Sequence, residues 1–360
     1  MLGYCTNVHS GNSFFDVIEN LKKYSSAVQE NFQKPLGIGL WLSDKASQEV
    51  DTELLEDILQ EHNLEVFTLN GFPFSDFHQD IVKHRVYKPN WSEEPRLDYT
   101  VQLANILSKI IKNKEAGIST LPLGWNSASF ENRDCIQLLE TCVEALEEIE
   151  QQTEKCIHLD IETEPGCRLQ TSEDLCNFIN KYFGDSERIR RYIRICHDTC
   201  HSVVMRENVH DCITNYKNAG LSIGKVQLSS AIEIDFNGAS SQKLLSDITS
   251  ISEPRYLHQT SVFLDGNTKF YDNITDIPKD NPSGVWRVHF HVPIHLDRVG
   301  ELCTTQNELK SSISALKEAG ATTWEVETYT WDVAPNSMKD VELVDSIVKE
   351  LRWASNQINK

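Results

Sequence analysis

Asp198 and His201 stand three residues apart in RICHDTCH, residues 194–201. That spacing lets a carboxylate and an imidazole converge on one cation or one substrate where a strand runs into a helix. Alone, it arises easily by chance. The chain repeats the theme. In VHFHV, His289 and His291 are two residues apart; in WEVET, so are Glu325 and Glu327; in LDIETE, Asp160, Glu162 and Glu164 follow at the same step. Residues two apart on an extended chain share a face. Several carboxylates facing inward are costly unless neutralised, and few Lys or Arg accompany them. The simplest remedy is a divalent cation with oxygen and imidazole ligands.

Such groups need elements to aim them. Apolar alternation and turn residues predict strands at about 2–9, 35–43, 64–72, 118–125, 156–162, 193–198, 223–229 and 322–328, separated by amphipathic helices; the last helix spans about 340–356. Eight strand-helix units predict an α/β fold, a (β/α)8 TIM barrel as one domain over 1–360, with catalytic groups at the carboxyl ends of the strands. An inserted hairpin and strand, about 252–294, fall between strands 7 and 8, with a turn at Asp265-Gly266. A doubly wound open sheet is the other candidate, but it would be expected to show a Gly-rich phosphate turn, and no GxGxxG or P-loop is present. Residues 73–95, rich in aromatics, histidine and proline, are too long for a tight connection and are expected to cover something.

At the strand ends stand His9, Asn70, Glu162, Asp198, His201, Gln227 and Glu327, with His258, His289 and His291 in the insertion. Each has a plain reading as a cap or an ion-pair partner. Independent caps would not all fall at the same end of successive strands. Glu164, before Pro165-Gly166, reads better as turn chemistry, His197 as packing, His158 as structural, and Cys196 and Cys200 as small buried residues. For His295 and Glu325 both readings stay open.

The 360 residues carry a net charge of −20, which disfavours phosphate backbones and predicts no nucleic-acid partner. No apolar run reaches the roughly 18 residues that span a bilayer, and the start lacks a signal-peptide pattern. The expectation is a cytoplasmic protein without integral membrane contact. Its ten cysteines are scattered singly, as reduced thiols would be.

The combination of Glu162 in IET, DTCH at 198–201, Gln227 in VQLS and Glu327 in VET resembles the xylose isomerase-like TIM barrels, which include sugar isomerases, epimerases and endonuclease IV. Nearly the whole chain is also similar to the bacterial Ebo-cluster metabolite-traffic proteins of the EboE type, through LGYCTNVH, FTLNGFP, KVQLSSA, EPRYLHQ, WRVHFHVPI and EVETYTW. The resemblance implies a metal site of Glu162, Asp198, Gln227 and Glu327, with His201, His289 and His291 as further ligands or substrate contacts. Gln227 stands where the superfamily often has histidine, which favours Mn²⁺ or Mg²⁺ over Zn²⁺, one or two per chain. The reaction expected is isomerisation or epimerisation of a small hydroxy-carbonyl or polyhydroxylated metabolite, with Glu162 and Glu327 exchanging a proton and with His9, Asn70, His201, Arg255 and His258 contacting substrate. Hydrolysis of a small phosphoester, and a non-enzymatic metabolite-binding or traffic role with other proteins of the pathway, are the alternatives.

Overall fold

In a computed structural model of the chain, the structure describes residues 1–238, 241–280, 282–333 and 341–360. Eight parallel strands close into a barrel in the order β1-β14-β7-β6-β5-β4-β3-β2. They are β1 (Leu2–Cys5), β2 (Gly37–Trp41), β3 (Glu65–Asn70), β4 (Glu115–Thr120), β5 (Cys156–Glu162), β6 (Ile193–Asp198), β7 (Ile223–Leu228) and β14 (Trp324–Val326). The closed ring disposes of the open-sheet alternative. Helices follow the strands, and the last described one is Leu343–Ile358, so residue 340 of the expected span lies outside the described residues.

The alternation in β5 explains how the barrel is filled. Ile157, Leu159 and Ile161 face the helices and join the main apolar core, which also takes Ile193 and Ile195 of β6 and Leu139 and Leu146 of the helix Asn132–Thr153. His158, Asp160 and Glu162 point the other way, into the barrel. There His158 Nδ1 lies 2.6 Å from Asp160. One layer up, Lys225 Nζ donates to Glu325 at 2.6 Å and to Ser119 Oγ at 2.9 Å, with Lys225 and Glu325 both 0% exposed. Lys225 is therefore the counter-charge for Glu325, and of the two readings left open for that residue the structure shows the ion pair. Gly39 makes the layer possible, because a Cβ there would fall on Glu325 Oε1.

The insertion is larger than the expected hairpin and strand. Directly after β7 the chain forms β8 (Ile232–Asp235), then β9 (Thr260–Leu264), β10 (Asn267–Tyr271), β11 (Val285–Val288), β12 (Arg298–Val299) and β13 (Leu302–Thr304). They make a second sheet in the order β10-β9-β11-β8-β13-β12. Ile232 and Ile234 pair with Val288 and Trp286 across β8 and β11, and these side chains nucleate a separate apolar cluster with Ile248 and Phe290. The hairpin turn does fall at Asp265-Gly266, where φ is +49° and +79°.

Candidate active site

Three carboxylates meet at the carboxyl end of the barrel: Glu162 closing β5, Asp198 closing β6, and Glu327 just past β14. Asp198 caps the following helix, Thr199–Val204: Oδ1 accepts from His201 N–H and from Ser229 Oγ, each at 2.8 Å. Its Oδ2 is buried and has no hydrogen-bond partner among the described residues. Glu327 Oε1 accepts from the side-chain amides of Asn7 (2.8 Å) and Asn70 (2.9 Å). Gln227 Nε2 bridges the other two oxygens, donating to Glu162 Oε1 at 3.3 Å and to Glu327 Oε2. Burial first, and then Glu327, push Glu162 well above the usual carboxylate range; burial, Asp198 and Glu325 push Glu327 up to about 8.

Three imidazoles face this group. His201 Nδ1 donates to Thr163 O (2.9 Å), His289 Nδ1 to Gln259 Oε1 (2.7 Å) and His291 Nδ1 to Glu327 O (3.0 Å). For His289 and His291 the acceptor fixes the tautomer, so that Nε2 presents its lone pair, the arrangement that orients metal-binding histidines. His289 Nε2 and His291 Nε2 are buried without partners, while His201 Nε2 lies 3.0 Å from Glu164 Oε2. Burial pulls His291 down to about 4 and His289 well below the ordinary imidazole value. His201 is different: burial opposes its charge, but Asp198, Glu164 and Glu162 outweigh that and push it up to about 9.

This donor set fits a divalent cation. Ligand atoms of Glu162, Asp198 and Glu327 lie within 4.8 Å of one another, as do those of Asp198, His201 and His291, and those of Glu164, His201 and His289. Metal-ligand bonds of roughly 2.0–2.6 Å require such convergence. Asp198 belongs to two of the groups. Cys200 lies near His289 and His291, but burial pushes its thiol far up, leaving it protonated.

Not every expected residue reaches this centre. The amide nitrogen of Gln227 faces the carboxylates and its oxygen accepts from the Cys196 thiol at 2.8 Å, so it links Glu162 to Glu327 instead of offering an oxygen ligand. His9 points away because β1 stops at Cys5 and a 3-10 turn, Thr6–Val8, breaks the alternation. Its ring stacks on Tyr24 (4.6 Å) with Nε2 3.1 Å from Tyr4 Oη, and Asn7 takes the inward place. Arg255 lies off the pocket lining, and its carbonyl accepts from Val82 and Lys83 N–H. His258 stacks on Phe290 (4.9 Å), and its Nδ1 is 3.2 Å from His289 O, so it supports the strand behind His289.

Sequence reasoning missed Glu164, whose Oε1 accepts from Tyr87 Oη (2.9 Å) and Gln259 Nε2 (2.7 Å). The two-residue step from Glu162 was its signal. Lys225 was signalled the same way by Gln227.

Above these groups opens a pocket with about 520 Å³ of empty space, part of it open to solvent. Residues of the 73–95 segment, including Pro73, Phe77, Val82 and Tyr87, form one side.

No known family profile matches the chain, and no curated protein sequence does either. Solved structures are similar. A D-tagatose 3-epimerase-like protein aligns at TM-score 0.55 and 12% identity over 99% of this chain and 98% of its own. An L-ribulose 3-epimerase aligns at 0.54 and 12% over 99% and 94%. The IOLI protein with a binding zinc atom aligns at 0.53 and 12% over 99% and 98%. At such identity the likeness establishes the fold, a (β/α)8 barrel of the kind found in these proteins.

Proposed function

We propose that the chain is a metal-dependent isomerase or epimerase acting on a small hydroxy-carbonyl compound, with the metabolite-handling role that its resemblance to the Ebo-cluster proteins implies. One observation carries this reading: among the described residues Asp198 Oδ2 and His291 Nε2 are buried without hydrogen-bond partners, their ligand atoms converge with that of His201, and the pocket opens beside His201 and His291. Buried polar atoms left so are costly, and a shared cation would satisfy them together. The nitrogen donors His201 and His291, joined by Asp198, suit Zn²⁺ or Mn²⁺ better than Mg²⁺, one per chain. The similar fold of a zinc-binding protein and of two epimerase-type proteins supports the same reading.

Asp198, His201 and His291 would hold a divalent cation, which would supply Lewis acidity to a bound hydroxy-carbonyl group. The chain does the proton work. Glu162 and Glu327 flank Gln227, and burial pushes both carboxyls up, which suits a pair that exchanges a proton with a substrate. One of the two, ionised, takes the proton from the hydroxyl-bearing carbon next to the carbonyl; the other, protonated, returns a proton to that carbon. Asn7 and Asn70 hold Glu327 in place. The phosphoester alternative loses ground. Among the described lining residues the only Lys or Arg is Lys83, against the carboxylates Glu162, Glu164 and Glu327.

The test is proton exchange. Metal-loaded protein incubated in D2O with a panel of ketoses and 2-hydroxyketones is expected to place deuterium on the carbon bearing the hydroxyl, read by NMR. Glu162→Gln and Glu327→Gln should each slow this by roughly 100-fold or more with metal content retained. Exchange indifferent to both substitutions contradicts the mechanism; metal binding without exchange of any panel member favours the binding and traffic role.

A further inference from the structure

We infer that the compound taken by this pocket carries its hydroxy-carbonyl unit within an alicyclic ring or on a substituent of an aryl one, and is neither an open-chain polyol nor a phosphate ester. The inference rests on the hydroxy-carbonyl reading and adds the chemistry of the walls.

The pocket is divided by polarity. Its floor holds the carboxylates and imidazoles, together with Asn7, whose buried Oδ1 has no partner among the described residues and can accept one substrate hydroxyl. Its walls are carbon: Phe72, Phe77, Val82, Val86 and Leu257. The tyrosines in the lining add little polarity. Tyr87 Oη donates to Glu164 and accepts from Gln259 at 3.0 Å, and Tyr256 Oη donates to Phe77 O at 3.1 Å. Only the Tyr329 hydroxyl makes no hydrogen bond among the described residues of the lining tyrosines.

The aromatic side chains also form a fixed corner. Phe77, Tyr256 and Tyr329 pack with ring centroids 5.0, 4.9 and 5.1 Å apart. Tyr329 then lies 4.7 Å from the His291 ring, so the corner directly adjoins the donor cluster. A compound with two oxygens at the floor must lay its remaining atoms on this surface. A sugar would bury several further hydroxyls against carbon, each without a partner, which lowers affinity. A ring meets the same surface by apolar contact and by edge or face packing on the aromatics. A phosphate would find Lys83 alone and no guanidinium among the described lining residues.

Catechol against D-fructose, titrated calorimetrically into zinc-loaded protein, tests the inference. Benzyl alcohol against glycerol, in chelator-treated protein, reads the walls without a cation. The expected result is catechol binding at least about 10-fold tighter than fructose, and benzyl alcohol binding where glycerol shows none. Phe77→Ser and Tyr329→Ala should each weaken both ring probes by about 10-fold, with circular dichroism and zinc stoichiometry unchanged. The wild-type comparison decides even if a variant misfolds. Fructose binding as tightly as catechol, or ring probes indifferent to both wall substitutions, overturns the inference. Failure of zinc to bind while benzyl alcohol is still preferred strikes the metal reading alone; zinc binding with no ring preference strikes the walls alone.

Discussion

Asp198 divides its two oxygens between structure and chemistry: Oδ1 caps a helix and accepts from Ser229, leaving Oδ2 aimed at His291 Nε2, 4.0 Å away. Asp198→Asn separates the two roles. The amide oxygen can still cap, while the amide nitrogen replaces the free carboxylate oxygen. We expect metal affinity to fall by about 100-fold or more, with the melting temperature of the metal-free protein unchanged or higher because one buried carboxylate is gone. Calorimetry and thermal unfolding check the two halves; a lower melting temperature with metal binding intact would contradict the division. At this scale parity made much of the site legible, since EVE, HFH and DIE each place their polar members on one face. Parity misled at His9, where the strand stopped early, and at Gln227, where the residue was placed correctly but the orientation of its amide is decided by Cys196 and the two glutamates.

Two elements deliver the site, and they differ in how plainly they were written. The barrel strands alternate so clearly in CIHLDIE and IRICHD that β5 and β6 match the expected spans. Beneath the site, Gly39, Glu325 and Lys225 interlock across β2, β14 and β7. Gly39→Ala would displace Glu325 from Lys225 and leave buried charge unpaired, at a cost of roughly 3–5 kcal/mol. Denaturant unfolding measures it, and a loss below about 1 kcal/mol would show that the layer yields easily. The second sheet was only half legible. Its strands are short and irregularly spaced, and β8, β12 and β13 find their partners only through the β8–β11, β8–β13 and β12–β13 pairings. Yet the segment following β11 carries His289 and His291. Trp286→Ala, which hollows the apolar cluster behind them, should therefore weaken metal binding as well as stability. A stability loss with unchanged metal affinity would show that the barrel alone fixes the two rings.

For the whole molecule, the gathered carboxylates give stability a direction with pH. Glu327, raised to about 8, and His201, raised to about 9, both hold protons in the folded state that the unfolded chain releases earlier. Such groups contribute stability that is lost as pH rises through the window between their unfolded and folded values. Below about 6.5 the neutral His291, at about 4, works the other way, because the unfolded chain binds the proton there. Between pH 6.5 and 8 the cited shifts of Glu327 and His201 agree. The metal-free protein should lose on the order of 1 kcal/mol per pH unit for each of the two groups, and saturating Zn²⁺ should flatten the curve. A metal-free stability that rises across this window would contradict the assignment. The barrel as a whole was readable from eight strand-helix units; the grip of its interior was not, because the step from Gln227 places Lys225 inside the barrel without telling that Glu325 and Ser119 are its partners. The most direct measurement is calorimetric titration of Zn²⁺ into chelator-stripped protein, beside His291→Ala and Asp198→Asn. The account predicts one ion bound per chain and a loss of about 100-fold or more in affinity in both variants. No stoichiometric binding, or binding indifferent to both substitutions, would contradict it.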